Sequence, residues 1–442
     1  MARKGDTMNK DVRNGETDPI HHLPDDTQQN NSGRSIRIRW LQLLAVILLV
    51  CLLGGGFVII QVLRSPRPAP TITTTTQRNQ GWCASQGAGF STNSGTPSLQ
   101  NITAISSVDA WAVGSTANQP IIEHWNGNSW NIVASPQLSS KNNALYGVAA
   151  ISSSDVWAVG TVGSGAGLPG SLLSSDPSLG TQPLIEHWNG QQWSIVSSSA
   201  IDPSLFSGLL SISAVASNDI WAVGATATKE ENTSFAPILE HWDGSHWNLV
   251  NPPVTLSHSV LTSVTAISSQ DVWVAGTDDS DPGQRQPIFV HWDGQQWSTV
   301  KGVSLGNQGG QLTSISADAT NDVWAVGLTN LHTTGTPLIE HWNGTDWKRV
   351  TVPLSNAGNS FLGIRALSPE NVWIAGYKLA NAQTPTPLIE HWDGQKWNVI
   401  PQQRQASGTL SNLASAGKNT WSVGTSLTDI QQVPYPLIEA NC

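Results

Sequence analysis

Three kinds of residue in this chain have types and spacings that could support chemistry: a recurring histidine, two charges that break a repeat, and one acidic loop. Six histidines, His124, His187, His241, His291, His341 and His391, each stand directly before a tryptophan. Histidine ligates metals and moves protons, but these six recur once per repeat and are spread evenly along the chain. Zinc needs three or four ligands converging at about 2.3 Å or less, so structural hydrogen bonding is the expected role. The glutamates of the same motif, Glu123, Glu186, Glu240, Glu340, Glu390 and Glu439, follow the same logic, because Val290 replaces one of them without disturbing the pattern.

Exceptions to a repeat are better candidates than its rule. Asp318 stands where other copies place Ile105, Ile151, Val215 or Ile267, and Arg365 where others place Thr103, Ala149, Ser213, Thr265 or Ser316. An ion pair between neighbouring repeats is the expected role, since buried charges persist when paired; a polar feature at the centre of the fold is the alternative. Asp278, Asp279 and Asp281 offer oxygen ligands of the kind calcium takes, without the full spacing of a calcium-binding loop. A solvated turn is the expectation there, and the three are kept as candidate binding residues. No Gly-x-Ser-x-Gly, His-Glu-x-x-His, phosphate loop or Cys-x-x-Cys occurs, and no cofactor or metal is expected.

The elements that must position these residues come from a repeat of roughly fifty residues. Each copy holds an apolar run such as Leu261-Thr262-Ser263-Val264-Thr265-Ala266-Ile267, a polar turn, and Val272-Trp273-Val274-Ala275-Gly276. After a variable loop come Pro287-Ile288-Phe289-Val290-His291-Trp292, the turn Asp293-Gly294, and Trp297-Ser298-Thr299-Val300. Short β-branched and aromatic runs bounded by Ser, Asp and Gly are strand signals. Asn-Gly or Asp-Gly between two such runs signals a hairpin in which both central residues accept positive φ. Four strands per copy make an antiparallel blade, and the second-strand tryptophans (Trp111, Trp157, Trp221, Trp273, Trp324, Trp373 and Trp421) count seven blades.

The fold class is therefore an all-β, seven-bladed β-propeller; a parallel β-helix, the rival, has shorter repeats and no such hairpins. The last copy stops at Ile438-Glu439-Ala440-Asn441-Cys442, and its missing strand appears at Gly81-Trp82-Cys83-Ala84-Ser85. A split last blade follows, with Cys83 and Cys442 at the two ends of one cut hairpin and a disulfide expected between them. Strand order also sorts the loops. The constant Ser-x-x-Asp and Asn/Asp-Gly turns share one face, and the variable segments Thr161–Gln182, Ala225–Ala236 and Thr277–Gln286 share the other. Binding normally resides in variable loops on a rigid scaffold.

The strand Asp-Val-Trp-Ala-Val-Gly followed by His-Trp-Asn/Asp-Gly-x-x-Trp resembles the repeats of bacterial seven-bladed propellers related to kelch, Asp-box and photosystem II assembly-factor-like proteins. The resemblance covers about 360 residues and implies the fold; it implies no single function, because propellers host binding proteins, scaffolds and enzymes alike.

Outside the repeats, Leu41 to Leu63 carries no charge. At 1.5 Å per residue it would span about 34 Å, enough for a bilayer core. Residues 41–63 are read as an uncleaved transmembrane signal anchor, 1–40 as a disordered cytoplasmic tail, 64–80 as a Pro/Thr-rich stalk, and 81–442 as the propeller. Arg34, Arg37 and Arg39 against Arg64 and Arg67 favour a cytoplasmic N-terminus. The third cysteine, Cys51, falls inside the anchor.

The net charge of −10 is concentrated after residue 67, where 12 Lys and Arg face 25 Asp and Glu. An acidic surface of that kind argues against nucleic acid. The sequence thus favours a membrane-anchored extracytoplasmic module that binds a protein or glycan. The alternatives are a carbohydrate-active or other hydrolytic enzyme and a sensor ectodomain.

Overall fold

Asp155–Val162, one copy of the Asp-Val-Trp-Ala-Val-Gly motif, forms a β-strand in a computed structural model of the chain, and its Val156, Trp157, Ala158 and Val159 are all buried. The structure describes residues 82–441 apart from 86–96, 117–118, 141, 164–181, 200, 203–204, 228–234, 282–283, 332–334, 355–357, 381–383, 403–406 and 427–435. The tail, anchor and stalk expected over 1–40, 41–63 and 64–80, together with Cys51 and Cys442, lie outside the described residues.

The described strands form seven antiparallel sheets of four. In the fourth blade they are Ser259–Ser268, Asp271–Asp278, Gln286–Trp292 and Trp297–Val300. The first strands of blades one to seven are Ser98–Ser106, Ala144–Ser152, Phe206–Ala216, Ser259–Ser268, Gly310–Ala319, Ser360–Ser368 and Gly408–Ala416. Each lies against the first strand of the next blade, and Ser98–Ser106 also lies against Gly408–Ala416, so the row closes on itself with the first strands innermost. The chain is a seven-bladed propeller.

Closure occurs where the broken repeat places it. Blade seven takes Gly408–Ala416, Asn419–Ser426 and Pro436–Asn441 from one end of the chain and Trp82–Ser85 from the other, in register Trp82↔Asn441 and Cys83↔Ala440. Trp82 is 1% exposed, and its ring centre lies 5.7 Å from that of Trp373 in blade six. The same contact recurs between blades: Trp157 meets Trp242 at 4.9 Å and Trp247 at 5.8 Å. Such aromatic pairs contribute about 0.5–1.5 kcal/mol beyond their area burial, which is why tryptophan marks the blade interfaces.

The motif glycine has a steric cause. A bulge in the first strand between Leu145 and Gly147 pushes its backbone toward the second strand, and a Cβ on Gly160 would stand 1.9 Å from the Ala144 carbonyl oxygen. The hairpin turns differ from the expectation that both central residues take positive φ. Trp188 pairs with Trp193 across a four-residue loop in which Gly190 has φ +91° and Asn189 does not join it. Asn189 Oδ1 instead accepts the backbone N–H groups of Gln191 and Gln192 at 2.9 and 3.0 Å. The Asx side chain therefore caps the loop from inside, and Asp serves as well as Asn.

Candidate functional site

The turn face is a repeated structural network. Asp155 Oδ1 sits 2.9 Å from His187 Nε2 and accepts the Trp157 indole N–H at 2.9 Å, while the His187 and Trp157 rings stack at 4.1 Å. Burial would raise the Asp155 pKa, but hydrogen bonds from Ser217, His187 and Trp157 outweigh it and hold the carboxyl below its ordinary value. The same His–Asp contact occurs at His124–Asp109, His241–Asp219, His291–Asp271 and His341–Asp322. In blade six Asn371 replaces the aspartate, and burial pushes the His391 imidazole pKa down, with the Asp393 charge pulling the other way. The histidines thus serve the scaffold, as their spacing implies. No group of three or more His, Cys, Asp or Glu able to hold a metal ion occurs among the described residues.

The motif glutamates are buried, at 0–1% exposure, and several tie down the crossover arriving from the preceding blade. Ser135 Oγ donates to Glu186 at 2.8 Å, Ser198 and Ser199 donate to Glu240 at 2.6 Å, and the Val303 backbone N–H donates to Glu340 at 2.9 Å. Burial raises the carboxyl pKa of Glu186, Glu340 and Glu390 to about 7 and that of Glu439 to about 8. Blade four departs from this rule on both sides of the contact. Val290 takes the glutamate position, and the crossover reaching it presents buried Leu256 in the same apolar cluster.

That blade also carries a cleft of about 340 Å³ on the crossover face, between the loop after its second strand and the crossover after its fourth. Its lining mixes apolar Ile288, Phe289 and Val303 with polar Gln286, Thr299 and Ser304, and includes one acid, Asp278, and one base, Lys301. Phe289 stacks on Trp347 at 3.8 Å, and a Cβ on Gly302 would meet the Phe289 ring at 2.9 Å. Glycine at 302 lets the crossover pass directly over the large Phe289 ring. Aligned crossovers carry Ser135, Ser198, Pro252 and Val352 there, so the signal was present in the sequence as a paired exception that sequence reasoning missed.

The structure separates the three loop aspartates. Asp278 reaches the cleft and accepts the Ser280 N–H at 2.9 Å. Asp279 is 4% exposed and ion-paired with Arg285 Nε, so it is not an open ligand, and Asp281 is exposed. The three do not converge on one point.

Asp318 and Arg365 both lie on the innermost ring, and they are its only charges: no other first strand contains Asp, Glu, Lys or Arg. Asp318 is the bulged residue between the pairs Ala317↔Val323 and Ala319↔Asp322, exposed near the turn face. Arg365 is in register with Trp373 and also exposed. The expected ion pair between them does not form, and Arg365 makes no ion pair among the described residues. Asp318 occupies the bulge position that recurs in the first strands of blades one to six, two residues along from Ser316, the equivalent of Arg365, so the two charges stand at different levels of adjacent strands.

No protein-family model matches the sequence, and no curated protein matches it. Solved structures do match in fold. YCF48 bound to D1 peptide is 15% identical, covering 82% of this chain and 95% of that one, with a TM-score of 0.52. YCF48 from Cyanidioschyzon merolae is 14% identical over 82% of this chain and 98% of that one, with a TM-score of 0.50. A polysaccharide lyase of family PL25, an ulvan lyase bound to its glycan, is 11% identical over 80% and 95%, with a TM-score of 0.53. At such identities the likeness is one of fold. Its neighbours include both a peptide binder and an enzyme.

Proposed function

We propose that this chain is a membrane-anchored extracytoplasmic binding module that holds a protein segment or glycan on the crossover face of its propeller. The observation that carries the reading is the blade-four cleft, whose mixed lining of apolar and polar groups with one acid and one base suits an amphipathic ligand. The enzymatic alternative would need two convergent carboxylates about 5–9 Å apart; the innermost strands carry one, Asp318. The full chain, screened against peptide and glycan arrays, should give selective, saturable binding without turnover. Hydrolysed or eliminated glycan products would replace this reading with the enzymatic one.

The anchor at 41–63 is supported by its uncharged apolar length; among the described residues no helix is long and apolar enough to cross a membrane. With the anchor and stalk so placed, an epitope inserted within Thr161–Gln182 should be labelled on intact cells, and protection there would remove the topology. The proposed Cys83–Cys442 disulfide rests on the bonded state of Cys83 and on the strand register, in which Cys442 follows two residues after the Cys83 partner Ala440. Cys442→Ser should lower stability by roughly 2–4 kcal/mol under oxidising conditions and change nothing under reducing ones.

A further inference from the structure

The inner ring is not uniform around its circumference. From blade three to blade six, serine hydroxyls stitch each innermost strand to the next. Ser211 accepts the Val264 N–H at 3.2 Å, Ser213 that of Ala266 at 3.0 Å, and Ser263 that of Ile315 at 3.1 Å. Ser314 accepts from Ile364 at 3.3 Å and Ser316 from Ala366 at 3.0 Å. In the arc of blades six, seven and one the corresponding positions hold Gly363 and Arg365, Asn412 and Ala414, and Asn101 and Thr103. There the asparagine oxygens turn back on their own strands: Asn412 Oδ1 accepts the Leu413 N–H at 2.7 Å and Asn101 Oδ1 the Ile102 N–H at 2.8 Å. Their side-chain NH₂ groups are left without partners among the described residues. One arc uses its polar groups to close seams, and the other leaves donors open.

Arg365 belongs to the open arc. Its side chain is exposed to water, yet desolvation by the surrounding protein lowers its pKa from the ordinary value. Both hold for a group that lines the opening inside a ring of strands, and not for one on an outer convex surface. Asn412 lies beside the same strand: a Cβ on Gly363, two residues before Arg365, would stand 2.7 Å from Asn412 Cα and 3.0 Å from its Oδ1. Glycine at 363 therefore lets the Asn412 side chain settle next to the strand that carries the guanidinium.

We infer that the central opening contains a carboxylate-binding site on the arc of blades six, seven and one, with Arg365 as its anchor and the Asn412 carboxamide as a second donor. A guanidinium presents a planar fork that matches a carboxylate through two parallel hydrogen bonds. One cation flanked by neutral amides suits a monoanion. The chain's net charge of −10 and the exposed Asp318 on the neighbouring strand disfavour a dianion. The site is independent of the blade-four cleft, so either can fail without the other.

The test is a titration of the full chain, labelled with ¹⁵N in its arginine side chains, with glucuronate and with N-acetylalanine, the latter standing for a peptide C-terminus. The Arg365 Nε–H resonance, assigned by its loss in Arg365→Lys, should shift saturably with at least one acid and not with its methyl ester. The acid that works distinguishes a sugar-acid source from a peptide-terminus source. Asn412→Ala should weaken binding about tenfold, and Asp318→Asn should tighten it several-fold by removing a nearby like charge. If Arg365→Gln fails to fold, Arg365→Lys carries the same comparison, because it keeps the charge and loses the fork. Shifts equal to those from chloride, or no shift with either acid, would overturn the site. So would equal thermal destabilisation by Arg365→Gln, Asp318→Asn and the double variant, the signature of a purely structural ion pair.

Discussion

The turn face and the crossover face of this propeller are built from opposite ends of the same strands, and they treat polar groups differently. On the turn face blades one to six repeat one solution: an Asx side chain caps its own hairpin, as Asn189 does, and a histidine beside the motif tryptophan contacts an aspartate, or Asn371 in blade six. On the crossover face, contacts with the arriving crossover vary from blade to blade. Glu186 takes a serine hydroxyl, Glu340 takes a backbone N–H, and Val290 takes an apolar neighbour instead. These networks use the same partners from blade to blade, Asp155 adding a hydrogen bond from Ser217 of the next blade, and leave little freedom for sequence change. Contacts that span a blade and a crossover can be exchanged as pairs, as Val290 and Leu256 show in blade four, the blade that also carries the cleft.

The largest expected effect comes from the shared scaffold between the faces. Gly160→Ala should cost at least ~3 kcal/mol or prevent folding, because the added carbon would stand 1.9 Å from a backbone oxygen that cannot move without breaking the bulge. Denaturant unfolding of the variant checks this; a loss near zero would mean that the strand spacing is not fixed by the glycine. Next is Val290→Glu, which restores the motif residue without the polar crossover that serves it elsewhere. A carboxyl facing Leu256 should cost about 2–4 kcal/mol, and Leu256→Ser in the same chain should recover part of it. Independent, additive losses would show that the two positions are not a pair.

The buried glutamates give the crossover face a pH dependence. Their folded pKa values of about 7 to 8 lie above the unfolded value near 4.5. The folded chain therefore holds protons that the unfolded chain has released. This stabilisation is fully present below about pH 4.5 and is lost as pH rises through 7 to 8. Thermal unfolding should occur at higher temperature at pH 5 than at pH 8, by at least ~2 kcal/mol of stability; a flat profile would mean that these carboxyls ionise freely in place. The turn face should respond less. Asp155→Asn copies the natural Asn371–His391 arrangement and should cost no more than about 1 kcal/mol.

The period of the repeat, the split blade and the scaffold role of the histidines were legible in the sequence because each follows from local spacing. Trp82 opposite Asn441 is the clearest case: a fragment at one end completed a motif broken at the other. The Asp318–Arg365 pair does not form because the two stand at different repeat positions, Asp318 at the bulge before the turn and Arg365 opposite the second-strand Trp373. The acidic loop was expected to be a solvated turn, yet Asp279 is buried and paired with Arg285, six residues further on, a contact that residue types alone do not announce. The cleft needed Phe289 and Gly302 to be considered together, and they sit on different elements whose contact only the folded blade makes evident.

The contrast between faces is tested most directly by locating binding. Full chains carrying Asp278→Ala with Lys301→Ala in the cleft, and others carrying Gln191→Ala with Gln192→Ala on the turn face, should be compared on the same peptide and glycan arrays. The account predicts that the cleft pair loses at least tenfold in affinity for whatever the unaltered chain selects, and that the turn pair binds as the unaltered chain does. Loss confined to the turn-face pair, with the cleft pair unaffected, would contradict it.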